Sequence, residues 1–246
     1  MRNIPPRTNK HGARVLLVME RVLANLVDLT LRHGRYTTQH ATDLAEGRRL
    51  LHEWEPQLVI LDIDRYDGFI EIVGRAANGT RTPTLAFTRK RDTSVKLSAF
   101  ERGVDDIFEV PFTLDEIVAR SFALIRRAHG IEVGLVPTIR FERMEVDLLK
   151  GTVKVGDKDL RLGPLQQTLL YLLAANPGRT LSRELVLQSI WGEEFEIESN
   201  VVDRHIRELR VKLGDSWRVP QFIETVAGEG YRFKGQDDQT RGAAAK

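Results

Sequence analysis

The feature that most constrains this fold is an alternation. Between Ala13 and Ala128, short apolar runs and helical periods follow one another five times. Residues 15–19 (VLLVM), 35–41, 58–61 (LVIL), 84–87 and 106–109 read as strands. Residues 20–33 read as a helix with Leu23, Leu26, Val27, Thr30 and Leu31 on one face. Thr42 is expected to cap a second helix carrying Leu44, Leu50, Leu51 and Trp54, stopped by Pro56. Helices are further expected at 69–77, at 95–102 and, with Leu114, Ile117, Val118, Ser121, Leu124 and Ile125 inward, at 113–128. Continuous apolar strands separated by helices predict a parallel, doubly wound five-stranded α/β sheet covered on both faces. Chemistry in such sheets gathers at the carboxyl ends of the strands. Those ends are Met19/Glu20, Asp62, Thr88 and Val110.

From residue 137 the pattern changes to α+β. Four short strand-like stretches, at 139–141, 144–147, 152–155 and 159–162, are joined by glycine-containing turns. Gly163-Pro164 opens a helix with Leu165, Leu169, Leu172 and Leu173 on its buried face. Asn176-Pro177-Gly178 ends it, and Ser182 caps the next, with Leu185, Val186 and Ile190 inward. Residues 199–213 (SNVVDRHIRELRVKL) carry Val202, Ile206, Leu209 and Leu213 as one apolar stripe. Asn200, with Asp203 three residues on, reads as the helix start. The other face offers Arg204, Arg207, Glu208 and Val211. A helix held by one face and presenting arginines from the other suits a DNA major groove. An amphipathic surface helix with solvated charges is the plain alternative. A hairpin over 222–226 and 231–233 closes the pattern.

Composition narrows the classes. There is no cysteine, so no disulfide, thiolate metal site or Cys nucleophile is available. No apolar run approaches the roughly 18 residues that span a bilayer, and the basic N-terminus lacks an apolar signal core. A cytoplasmic, membrane-free protein is expected. Basic and acidic side chains balance within 12–128 and again within 137–235, so the net charge is only +2. Any nucleic-acid affinity must come from local placement of charge. The expected organisation is a tail (1–12), a first domain (13–128), a linker (129–136), a second domain (137–235) and a polar tail (236–246).

LVILD, Thr88 after the fourth strand, and ERGVDDIFEVPF followed by LDEIVARSFALIRR resemble a response-regulator receiver domain, most closely of the OmpR/PhoB subfamily. The resemblance implies an acidic pair after the first strand and an aspartate after the third that hold Mg²⁺. That aspartate accepts a phosphoryl group, a lysine after the fifth strand bonds the phosphoryl oxygens, and a hydroxyl and an aromatic report the change. This chain keeps Asp62 at the acceptor position and Thr88 at the hydroxyl position. It departs elsewhere: the acidic pair is Met19-Glu20, the lysine is Val110, the aromatic is Ile107, and the residue after Thr88 is the bulky Arg89. The loop after Asp62 is about two residues short, judged against the family pattern, and lacks its proline. Arg89 is expected to lie against Asp62 and Glu20. No cofactor is expected, and Glu20 and Asp62 are only weak metal candidates. The subfamily pairs through its fourth helix, fifth strand and fifth helix with reciprocal charges. The matching residues are Lys96 with Glu116, Asp106 with Arg120, and Asp105 with Arg127.

Residues 137–235 are similar to the OmpR/PhoB-type winged helix-turn-helix through NPGRTLSRELVLQSIWG, SNVVDRHIRELRVKLG and ETVAGEGYRF. The resemblance implies base contacts from Arg204 and Glu208, with Asn200 and Val201 near the helix start. It implies contacts to the DNA backbone from His205, Arg207, Arg210, Arg183, Trp191, Thr225 and Tyr231. Trp191 and Tyr231 can instead be core, and Arg210 can instead pair inside the domain. The wing position that the family fills with a groove-reading arginine is Ala227.

Together these features lead us to expect a homodimeric, sequence-specific transcription regulator that binds double-stranded DNA, is not an enzyme and is independent of ordinary aspartate phosphorylation. RNA polymerase is expected to meet the acidic loop from Gly192 to Ser199. The alternative is a conventional regulator phosphorylated on Asp62 by a histidine kinase. A third class, a scaffold binding protein instead of DNA, separates from both by salt dependence.

Overall fold

The computed structural model describes residues 12–74, 81–131, 134–136, 138–141, 144–148, 150–192 and 200–234. The chain divides into two compact units, residues 1–110 with 116–136, and residues 137–246 with the short segment 111–115.

The first unit runs β1 (Ala13–Val18), α1 (Arg21–Leu31), β2 (Tyr36–Ala41), α2 (Leu44–Glu53), β3 (Leu58–Asp62), α3 (Ile63–Tyr66), α4 (Phe69–Gly74), β4 (Thr84–Thr88), α5 (Thr93–Glu101), β5 (Asp106–Glu109) and α6 (Leu114–His129). The strands form one parallel sheet ordered β2-β1-β3-β4-β5. Every residue of β3 and β4 is buried, as a sheet covered on both faces requires. Leu16, Val18, Val59, Leu61, Phe69 and Ile70 belong to one core cluster on it.

Three local expectations change. Asp43, not Thr42, caps α2, its carboxylate accepting the Glu46 N–H at 2.8 Å. The short turn α3 was not anticipated; it starts because the Asp62 carboxylate, closing β3, accepts the Asp64 N–H at 3.2 Å. The stretch read as a linker belongs to the first unit up to Val136. Leu135 forms an antiparallel bridge with Gly34. The Val136 N–H donates to the His33 carbonyl at 2.6 Å, and the Arg35 N–H to the Gly134 carbonyl at 3.2 Å.

The second unit begins with β6 (Thr138–Phe141), β7 (Met144–Asp147), β8 (Thr152–Val155) and β9 (Lys158–Arg161), an antiparallel meander. Then come α7 (Pro164–Ala174), β10 (Thr180–Leu181), α8 (Arg183–Ile190), α9 (Val201–Leu213), β11 (Ile223–Val226) and β12 (Gly230–Phe233). β10, too short to announce itself in the sequence, pairs with β12 to give a sheet ordered β10-β12-β11. Gly230 has φ of 150°, and a Cβ there would sit 2.0 Å from the Leu181 carbonyl oxygen. Only glycine lets the strands approach this closely. Gly214, at φ 66°, ends α9 in the left-handed conformation. Among the described residues no helix is long and apolar enough to cross a membrane.

The turn after α9 is organised by the buried Asp215. Its carboxylate accepts the N–H groups of Gln221 at 2.7 Å, Phe222 at 3.3 Å and Ile223 at 2.8 Å. Removing it strands main-chain donors away from water. Asp215→Ala is expected to destabilise the second unit by about 2–3 kcal/mol, read as a lower urea midpoint for that unit's unfolding.

Candidate phosphoacceptor pocket and nucleic-acid interface

At the carboxyl end of the first sheet, Asp62 is fully buried and bound by Arg89 through two parallel hydrogen bonds. Nη1 reaches Oδ1 and Nη2 reaches Oδ2, both at 3.0 Å. This fork-to-fork geometry is the strongest an arginine offers a carboxylate. The guanidinium also lies 5.2 Å from the Phe87 ring centroid. Burial pushes the Asp62 carboxyl up from its usual range, while Arg89 pulls it back.

The expectation for Arg89 is half right. Glu20 is not its partner: that carboxylate pairs with Arg65 of α3. The second acid on Arg89 is Asp64, which the sequence reading passed over. Its Oδ2 accepts the Arg89 main-chain N–H at 2.6 Å and lies 3.4 Å from Nη1. Its Oδ1 accepts the Thr88 hydroxyl at 2.6 Å. The signal for Asp64 was available as an acid two residues beyond the acceptor, but nothing in the sequence said which way a four-residue turn would aim it. Val110 is buried and Ile107 half-buried.

These residues do not fit a divalent cation. Both Asp62 oxygens already meet a guanidinium, Glu20 is turned to Arg65, and among the described residues no three acidic or histidine side chains converge as ligands.

The charged residues expected to pair two copies find partners within the single chain. Lys96 meets Glu109, Asp105 meets Arg81 at 3.0 Å, and Arg120 meets Asp106 and Glu116, each at 2.7 Å. Arg127 is exposed.

In the second unit α9 lies as its stripe predicts, with Val202, Ile206, Leu209 and Leu213 buried. Arg204, Arg207 and Glu208 face outward, as does Asn200 just before the helix. Val211 continues this face at 75% exposure. Four expectations need correction. Val201 is buried beside Val202 rather than on the outward face. Asn200 makes no side-chain cap. Trp191 is buried, its ring 5.4 Å from that of His205, so it supplies packing. Tyr231 is also buried and donates its hydroxyl hydrogen bond to Asp203 at 2.6 Å.

The helix starts after Asn200 as expected, with Asp203 in its first turn, but the Asp203 carboxylate serves other partners. It accepts from Arg183 Nε at 2.7 Å and from Tyr231, tying α8 and β12 to α9. Arg183 stacks over the Tyr231 ring at 4.9 Å. Burial and the Asp203 carboxylate push the Tyr231 hydroxyl up to about 12, so it stays a donor. Arg210 braces α9 to the wing through the Ile223 carbonyl at 2.7 Å and the Thr225 hydroxyl at 2.8 Å. Burial lowers His205, partly offset by Glu208, whose Oε2 lies 3.6 Å from Nδ1. Residues 193–199, on which the polymerase contact was placed, lie outside the described residues.

Known proteins bear on this arrangement. Residues 157–233 match the family described as "Transcriptional regulatory protein, C terminal". The response regulator ArlR of Staphylococcus aureus is 34% identical over 216 residues, covering 86% of this chain and 94% of that protein. Among solved structures, the DNA-binding domain of Klebsiella pneumoniae RstA in complex with RstA box is 30% identical, with a TM-score of 0.36. The match covers 39% of this chain and 95% of that one. The response regulator DrrB of Thermotoga maritima, an OmpR/PhoB homolog, is 24% identical with a TM-score of 0.39. It covers 91% of this chain and 100% of that one. With an acceptor-position aspartate closing the third strand of a parallel sheet, a winged helix following it in the chain, and a relative matched over nearly its whole length, this chain belongs to the OmpR/PhoB-type response regulators.

Proposed function

We propose that this protein is a sequence-specific DNA-binding transcription regulator that acts as a homodimer and is not switched by phosphorylation of Asp62. The DNA-binding half rests on α9: its apolar stripe is buried and its arginines are presented outward on a helix braced at three points. Arg204 is suited to guanine and Glu208 to the cytosine amino group. Arg207 is suited to phosphate, with His205, Arg183 and Thr225 nearby on the same scaffold. Half-exposed ion pairs such as those of Lys96, Asp106 and Arg120 are individually modest, so exchanging them for pairs across two copies costs little. The absence of a candidate span among the described residues is compatible with a cytoplasmic regulator.

The observation that carries phosphorylation independence is the buried Arg89–Asp62 pair. A phosphoryl donor must approach a carboxylate oxygen in line, and both oxygens here are held by a guanidinium. The residues that would stabilise the incoming charge, a lysine and a second metal-binding acid, are Val110 and Met19. Incubating the protein with phosphoramidate and Mg²⁺ is expected to leave its intact mass unchanged. A near-stoichiometric phosphoryl adduct on Asp62 restores the conventional reading, with a histidine kinase as its partner.

The interface makes two separable predictions. Arg207→Ala is expected to weaken binding evenly across DNA sequences and to reduce the slope of log affinity against log salt by about one. Glu208→Ala is expected to relax preference at one base position, seen in a binding-site selection, while leaving the salt slope unchanged.

A further inference from the structure

We infer that the carboxylate of Asp64 is a built-in anion that stands where a transferred phosphoryl group would be read, holding the carboxyl edge of the sheet in one state. The inference deepens the reading of a receiver without phosphorylation and rests on it.

Three donors from the end of β4 converge on this one carboxylate. They are the Thr88 hydroxyl at 2.6 Å, the Arg89 main-chain N–H at 2.6 Å and the Arg89 guanidinium at 3.4 Å. A hydroxyl, a main-chain amide and a cation around one oxyanion form a donor set that a phosphoryl group would also accept. Here they are satisfied by a side chain of α3, two residues beyond the acceptor position. Asp64 is placed there by its own N–H, which is fixed on Asp62 at 3.2 Å. Arg89 serves both acids at once, its guanidinium forked on Asp62 and 3.4 Å from Asp64, its main-chain N–H donating to Asp64. The Asp64 side chain is only 11% exposed, so its charge is felt with little screening.

The contact has a path outward. The Thr88 oxygen that donates to Asp64 also accepts the Lys90 N–H at 3.1 Å. Two residues on, Asp92 caps α5 by accepting the Ser94 N–H at 2.8 Å. α5 carries Lys96, which pairs with Glu109 of β5. An anion at Asp64 therefore sets the hydroxyl, the hydroxyl sets the β4–α5 turn, and the turn sets the start of the face offered for pairing.

Hydrogen exchange of the full-length protein tests this directly. In Asp64→Ala, amides of residues 88–101 are expected to exchange about tenfold faster than in the wild type, because a charge-assisted hydrogen bond is lost. Truncation also leaves room for a free anion among the same donors, so millimolar inorganic phosphate is expected to restore the slow exchange. Phosphate is expected to do nothing in the double variant Asp64→Ala/Thr88→Val. Asp64→Asn keeps the volume and loses the charge; it should exchange fast with no rescue, and it decides the matter where the alanine variant does not fold. Exchange in Asp64→Ala that matches wild type, or fast exchange that phosphate leaves untouched, overturns the inference. A phosphoryl adduct on wild-type Asp62 overturns the underlying reading instead, and the exchange assay still reports on Asp64.

Discussion

A charge taken out of water must be met by an opposite charge or by donors, and the first unit is built around one such obligation. Asp62 closes β3 and is fully buried, and its ionised form is met by Arg89 on both oxygens and by the Asp64 N–H. Much else follows from that pair. It fixes the start of α3 through the Asp64 N–H, and it draws Asp64 back over β4. It also fills the space between the strand ends with a guanidinium that cannot be deprotonated at any ordinary pH. The same sheet that elsewhere offers its carboxyl edge to ligands has that edge closed from within.

Most of the architecture was legible in the sequence because the driving force is periodic. Val59 to Leu61 and Leu85 to Phe87 have no polar face, so they belong in a covered parallel sheet, and there they lie. The stripe of α9 was legible for the same reason, as were the charge balance and Arg89 against Asp62. What escaped was short or depended on direction. α3 and β10 have too few residues to show a period. Asp203 looked like a capping residue by position, yet Arg183 and Tyr231, distant in sequence, offered it stronger partners. Trp191, Tyr231 and Val201 sit at positions the family associates with DNA, but burial was decided by packing partners that no local pattern reveals.

The two units handle charge in contrasting ways. In the first, at the carboxyl edge of its sheet, Arg89, Asp62 and Asp64 are paired and enclosed, which sets geometry and tolerates little change. In the second, Asp203, Arg183 and Arg210 form a partly exposed frame, while Arg204 and Arg207 remain presented on the helix they frame. Glu208 shares this face and is lightly held by Gln166 at 3.4 Å. If this face reads DNA as proposed, an acidic residue among so few trades strength for selectivity, since an unmatched carboxylate near phosphate is repelled.

The antiparallel bridge between Gly34 and Leu135 has a further consequence. β2 is the outer strand of the sheet, and such strands carry unpaired main-chain groups that invite pairing with other molecules. The residues after α6 occupy the approach to that edge at Gly34 and Arg35, and the exposed side chains of β2 beyond it are the polar Thr37 and Gln39. The segment that leads out of the first unit thus also guards it. Cleavage or substitution between His129 and Val136 would expose the start of an edge strand, and the cost would appear as intermolecular strand pairing and loss of solubility before any loss of fold.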